Sequence, residues 1–488
     1  MVAGPLEKAR GALAGADFRR LFTLRLLSQG CDGLFQASLV ASLVFSPENQ
    51  DTAAGFFRAT LIIALPFTLI GPFAGVFIDR WRRRRILQVA PLAKAAAAML
   101  VLIEPGHAGF AFYAGSLLAL SINRFFLTTT NAVVPRLVAT RHLLMANSIA
   151  TVGGTVSFLT GIFVGGKAVD AAAESPVVIA AIVGWLAVSV IASRLGSDLR
   201  PHQVPDSTGR LGREVTLVAA ELAAGARRLF GAPRAVGPIT SITLDQVGQG
   251  LLLTLSLVVF RERFAEGVGS FSNLIGVGGL GVLTGILTVG WLEQRFRKER
   301  IVAGAFLIGG AVTCAVTLHI AGWTILLASY TVGLTFAWKK VAVDTLVQEA
   351  LPDGYRGRVF AIYDITYNMA RVAAGALAIV MFPLLGDEGA LLMIGVVFLL
   401  WTPVLPAWIG RVPEIRIRFV EGARAEEWPR TIEWGGVEEP VEVLTTGLVE
   451  RDGARFRAFR LSLADGSTVD VERAEPDGDW RIVREAED

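Results

Sequence analysis

Acidic and basic residues set deep inside long apolar runs can hold, exchange or pass a proton or an ion within hydrocarbon. Here they are Asp32, Arg124, Asp245 and Lys339, with Lys94, Lys340, Asp344 and Arg371 as secondary members and Arg25 nearer the end of its run. A charge at the bilayer centre costs ~2.5–3.5 kcal/mol on insertion scales unless it faces a partner or an aqueous cavity. Asp32 with Arg124, and Asp245 with Lys339, supply one acid and one base in each half of the chain, and are read as pairs. A carboxylate that alternates between a basic partner and water suits proton coupling, because the partner favours the ionised form and its departure favours the protonated one. The same pairs would serve equally as static ion pairs that hold helices in register. Arg25 reads as a side chain snorkelling towards the interface, and Lys340 with Asp344, four apart, as a pair along one helix.

The elements that must position these groups are apolar segments of spanning length. The 488 residues are 53% hydrophobic and 18% charged, with a mean hydropathy of +0.54, against roughly 25% charged in an ordinary soluble domain. At ~20 residues per span, twelve segments fall near 19–45, 55–78, 86–104, 108–134, 143–169, 176–195, 236–260, 268–291, 301–319, 321–349, 358–383 and 389–410. Loops rich in arginine, such as Arg80 to Arg85, Arg136 with Arg141, Arg295 to Arg300, and Arg356 with Arg358, alternate with acidic or small ones. Arg261 and Arg263 are the main exceptions. The basic side is therefore cytoplasmic, and an even number of spans leaves both termini there.

An offset of roughly 215 residues superposes the segments. It brings Asn131–Ile149 over Asp344–Ile365, Arg124 opposite Lys339, and Gly33 opposite Gly250. The chain therefore divides into a six-span unit at 15–195, a polar linker at 196–235 with an amphipathic helical pattern from Leu211 to Leu229, and a second six-span unit at 236–410. Beyond it, apolar residues alternate with polar ones over 412–488, as in Ile415-Arg-Ile417-Arg-Phe419. Asp452-Gly453, Asp465-Gly466 and Asp477-Gly478 supply turns, so a small antiparallel β domain is expected. That tail holds 11 Lys/Arg and 19 Asp/Glu, a net of −8, which leaves +11 on the rest of the chain. The basic excess belongs to membrane loops and gives no reason to expect nucleic-acid binding. The acidic tail could dock on those loops or stay tethered and free.

Enzyme chemistry has little to stand on. Cys31 and Cys314 are isolated, and His107, His142, His202 and His319 have no ligand spacing, so neither a metal nor a cofactor is expected. GIFVGGKA at Gly161–Ala168 imitates a phosphate loop, but Ala168 stands where Ser or Thr must be and no strand precedes it. Gly161-x-x-x-Gly165, with Gly166, places small residues on a helix face, for which close helix packing is a sufficient account.

Over residues 15–410 the chain resembles the major facilitator superfamily. The loop between the second and third spans matches its signature at Gly75, Asp79, Arg80, Arg83 and Arg84, with Arg82 replacing a glycine. Glu221, Gly225 and Arg227, and Arg356, Gly357, Arg358 and Val359, are similar to macrolide-efflux-like and enterobactin-exporter-like members. The antiporter glycine motif is matched at Gly161, Gly165 and Gly166, with Ile162 in the place of proline. The resemblance implies an all-α membrane protein of 12 transmembrane helices in two pseudo-symmetric six-helix bundles, with the first, fourth, seventh and tenth lining a cavity that opens alternately to each side. It implies a conformational latch in which Asp79 meets the other half near the eleventh helix, whose N-terminus favours an anion.

The expected activity is proton-coupled efflux of a small amphipathic or hydrophobic molecule by a monomer in the cell membrane. Asp32 and Asp245 would titrate, with Arg124 and Lys339 as their partners or as ligands for a substrate anion. Transport of lysophospholipid or another lipid-like substrate is the nearest alternative. A non-transporting receptor or assembly factor that uses its β tail is a third.

Overall fold

The computed structural model describes residues 13–45, 82–103, 109–139, 142–196, 232–259, 268–351, 353–411 and most of 415–483, with scattered positions in 57–62 and 220–229. The second apolar segment, the linker's amphipathic pattern, Gly75, Asp79 and Arg80 lie wholly or largely outside the described residues. Every other predicted segment falls on helix. In order these are α1 (Ala16–Val40), continued by a π-turn at Ala41–Phe45, α2 (Arg83–Val101), α3 (Phe110–Leu137), α4 (Leu143–Ala172), α5 (Glu174–Ser193) and α6 (Pro233–Val258). Then come α7 (Val268–Glu293), α8 (Lys298–Thr317), α9 (Gly322–Glu349), α10 (Asp353–Trp401) and α11 (Val404–Arg411).

Among the described residues, six helical stretches are long and apolar enough to cross a membrane by length and composition. They are α3, α4, α5, α7, α8 and the stretch from α10 into α11. The others, α1, α2, α6 and α9, are the helices diluted by Asp32, Lys94, Asp245 with its two neighbouring glutamines, and the Lys339–Lys340–Asp344 group. Intramembrane charge and low hydropathy therefore coincide. Gly386, between the last two predicted segments, has φ +66°, a left-handed conformation that suits glycine, and breaks α10 there.

The packing repeats between halves: α1 lies on α4 and α6 on α10, while α2 lies on α3 and α8 on α9. Close approach explains two glycines. A Cβ on Gly161 would stand 2.1 Å from the Gly30 carbonyl oxygen, and one on Gly33 would stand 2.2 Å from that of Phe158, so α1 and α4 touch backbone to backbone. The halves meet along α4 and α7, where Asp170 accepts from the Gly269 backbone N–H at 2.8 Å.

The tail forms two antiparallel sheets, β1–β3 (Ile415–Val420, Trp428–Trp434, Val437–Pro440) and β4–β7 (Glu442–Arg451, Ala454–Ser462, Thr468–Ala474, Trp480–Val483). The three Asp-Gly pairs fall between consecutive strands of the second sheet, which pair as neighbours. Ile432 of the first sheet joins Phe459, Leu461, Val471 and Trp480 of the second in the core of the tail. Arg460 holds Asp470 through two hydrogen bonds of 2.6 and 2.7 Å, and the contact keeps that carboxyl below the usual range.

Candidate functional site

Ser28 and Asp32 lie four residues apart, on one face of α1. Lys94 reaches them from an alanine-rich stretch of α2, whose small side chains let the helices close in. Its ammonium group donates to Asp32 Oδ1 at 2.5 Å, to Ser28 Oγ at 3.2 Å and to Asn123 Oδ1 of α3 at 3.1 Å, which occupies all three of its donors. Trp185 of α5 donates its indole N–H to Asp32 Oδ1 at 3.1 Å. The ammonium also lies 4.7 Å from the Trp185 ring and 5.4 Å from that of Phe126, within cation–π reach. Both charged side chains are sealed from solvent.

A second cluster repeats this one. Asp245 of α6 pairs with Lys339 of α9, both fully buried. The Lys339 ammonium lies 4.6 Å from the Phe306 ring and 5.1 Å from the Phe398 ring. Asp32 and Asp245 are 213 positions apart, as are Phe126 and Lys339, and Trp185 and Phe398, while Lys94 and Phe306 are separated by 212. Each half thus surrounds a carboxylate with one lysine and two aromatic rings. Lysine and phenylalanine have changed places between the two helices that supply them.

This arrangement corrects the expected pairing of Asp32 with Arg124. Asn123 faces the cluster, and the next residue on a helix points about 100° away. Arg124 therefore turns towards the other half, where it and Lys340 lie in the electrostatic surroundings of Asp364. The pairing of Asp245 with Lys339 is found as expected, but the burial of Lys339 leaves it closed to a substrate anion. Arg25 does not snorkel: it is buried and donates to Asn131 Oδ1 at 2.7 Å, joining α1 to α3. Lys340 bonds both oxygens of Asp344 at 2.7 Å along α9. Arg83 donates to the Ala132 carbonyl at 3.1 Å and Arg84 to that of Ser193, the last residue of α5, at 2.6 Å. A cation at a helix C-terminus is favoured by the helix dipole.

What single residues could not reveal is a polar chain leading away from the second pair. Gln249 donates to Asp245 Oδ2 at 2.5 Å and Gln246 donates to the same oxygen at 3.3 Å. Arg371 of α10 in turn donates its Nε–H to Gln246 Oε1 at 2.7 Å and an N–H to the Tyr367 hydroxyl at 3.2 Å. The sequence signal was available: two glutamines one and four residues after an intramembrane aspartate. Gln249 and Arg371 both line a cavity of about 360 Å³. Its walls come from α1, α4 and the helices of the second half, and are mostly apolar. The first pair has no such link, since none of Asp32, Lys94, Asn123 and Trp185 lines this cavity.

Residues 21–375 and 241–462 match the profile of the Major Facilitator Superfamily. Uncharacterized MFS-type transporters of Mycobacterium tuberculosis and Mycobacterium bovis are each 27% identical over 429 residues, which is 83% of this chain and 94% of theirs. Among solved structures, a POT family transporter in complex with 5-aminolevulinic acid superposes with a TM-score of 0.66 at 13% identity, over 81% of this chain and 96% of that one. The nucleoside transporter NupG superposes with a TM-score of 0.58 at 15% identity, over 81% and 98%. At such identities the likeness speaks for the fold alone.

Proposed function

The chain belongs to the Major Facilitator Superfamily of transporters, and we propose that it moves a small amphipathic molecule outward by alternating access, coupled to inward proton flow. It is a multi-pass membrane protein; the proposal places it in the cell membrane with both termini in the cytoplasm. In this reading Asp245 is the coupling carboxylate, and the observation that carries it is the Gln249 hydrogen bond linking Asp245 to the cavity. Protonation there removes the attraction to Lys339 and loosens α6 from α9. Asp32, without a link to the cavity, is proposed as the static counterpart that keeps the first half rigid. Asp79, Arg80 and the arginines after them are proposed as the latch between halves.

The test is uptake by proteoliposomes under an imposed pH gradient. Asp245→Asn is expected to lose gradient-driven accumulation by at least tenfold while still exchanging substrate across the membrane. Full gradient-driven accumulation by that variant would sink the coupling role of Asp245.

A further inference from the structure

Arg371 stands apart from the lysines set within these helices. Lys94, Lys339 and Lys340 each contact a carboxylate. The guanidinium of Arg371 contacts only neutral groups, the Gln246 amide oxygen and the Tyr367 hydroxyl, and lies 5.2 Å from the Tyr367 ring. It makes no ion pair among the described residues. Its side chain is exposed, and it lines the cavity. Asp245 is already neutralised by Lys339, so the group Asp245, Lys339 and Arg371 carries one net positive charge at the cavity wall. Around that charge the wall is apolar, with Leu252, Leu253, Phe271, Ile275 and Ile325 among its members. Exposed to the cavity, the guanidinium keeps its charge there without a counter-ion, and an anion placed against it would gain a charge-assisted contact beside an apolar wall.

We infer that the cavity takes an amphipathic anion, whose carboxylate or phosphate sits on Arg371 and whose apolar body lies against α6, α7 and α9. The inference rests on the cavity being the carrier's binding site. A guanidinium is planar and offers paired N–H groups, and this geometry matches a carboxylate or phosphate two bonds at a time. Gln249 and Asn368, also on the wall, supply neutral hydrogen-bonding groups beside it. The volume of about 360 Å³ lies at the small end of ligand sites and suits a single short chain rather than a two-chain lipid. An anion on Arg371 would compete with Gln246 for the guanidinium and so disturb the amide that also bonds Asp245. Occupancy and the coupling carboxylate would then be linked through one side chain.

The experiment uses the full chain in phosphatidylcholine nanodiscs, titrated calorimetrically with decanoate, decyl phosphate and the uncharged decanamide. At least one anion is expected to bind saturably and at least tenfold more tightly than the amide. Preference for decanoate points to a free carboxylate, and preference for decyl phosphate to a lipid-type headgroup. Arg371→Gln, checked for an unchanged melting midpoint, is expected to weaken the anion at least tenfold and leave the amide within twofold, while Arg371→Lys keeps most of the anion affinity. Equal affinity for anion and amide, no saturable anion binding, or an Arg371→Gln variant that binds the anion like the parent would overturn the inference. Flux measured in parallel separates the two levels: saturable anion binding without any flux overturns transport and leaves the site. Flux of an uncharged cargo with anion affinity indifferent to Arg371 overturns the site and leaves transport.

Discussion

Around Asp32 the lysine comes from α2 and the aromatic faces from α3 and α5; around Asp245 the lysine comes from α9 and the faces from α8 and α10. The requirement is the same in both places, a buried ammonium matched by one carboxylate and screened by ring faces. Lysine and phenylalanine both fill a long volume pointing inward, so either of two adjacent helices can carry the charge. The clusters differ on the far side of the carboxylate. At Asp32, Lys94 and Trp185 both donate to Oδ1, and Oδ2 is buried with no hydrogen-bond partner among the described residues. At Asp245, Gln246 and Gln249 both donate to Oδ2, the oxygen that Lys339 does not bond, and an amide that donates and accepts can pass a change onward to the cavity. The proposed division into a static pair and a coupled one therefore rests on the second carboxylate oxygen, which has no partner at Asp32 among the described residues and two amides at Asp245.

Breaking one pair should have the largest effect. Lys94→Ala leaves Asp32 buried without its cation and is expected to cost about 3–5 kcal/mol, read as a fall in the melting midpoint of the purified protein. Lys94→Met combined with Asp32→Asn should recover most of that loss without impairing gradient-driven uptake; lost coupling in the double variant would erase the distinction between the halves. The exchange of positions can be tested directly: Lys94→Phe with Phe126→Lys converts the first cluster to the plan of the second. The double variant should be more stable than Lys94→Phe alone, with a coupling energy at the upper end of about 0.5–3 kcal/mol. Gln249→Leu cuts the link to the cavity while leaving the Asp245–Lys339 pair in place. It is expected to slow proton-coupled uptake about tenfold, ~1.4 kcal/mol, with little change in melting.

The exposed pair in the tail marks the lower end of the scale. Arg460 lowers the pKa of Asp470, so its contribution is present above the unfolded carboxylate's pKa and fades as pH falls through the lower folded value. Both side chains reach solvent, and Asp470→Asn is expected to cost less than ~1 kcal/mol. A urea melt of the full chain followed by tail tryptophan fluorescence should show the parent and variant converging below that range. A loss as large as that of Lys94→Ala would contradict the dependence on burial.

Much of this was legible beforehand. The apolar segments that the described residues cover, the break at Gly386, the antiparallel strands of the tail, the Lys340–Asp344 pair and the match of Asp245 with Lys339 follow from local pattern. The partner of Asp32 did not, because an alignment of halves pairs like with like and so offers Arg124 opposite Lys339. The actual equivalent of Lys339 is Phe126, and a charge traded for an aromatic ring leaves no trace in identity. The burial of Arg25 was also missed, since its hydrogen-bond partner among the described residues, Asn131, lies on another helix.

By itself the sequence determined which segments could lie in hydrocarbon and which charges had to be accommodated within them, because hydropathy and charge act residue by residue. Tertiary structure alone decided which cation meets which carboxylate, which carboxylate reaches a cavity, and that Arg371 faces that cavity without a counter-charge. Those outcomes depend on rotation of each helix about its axis, where one residue shifts a side chain by about 100°, and only packing against neighbours fixes that angle.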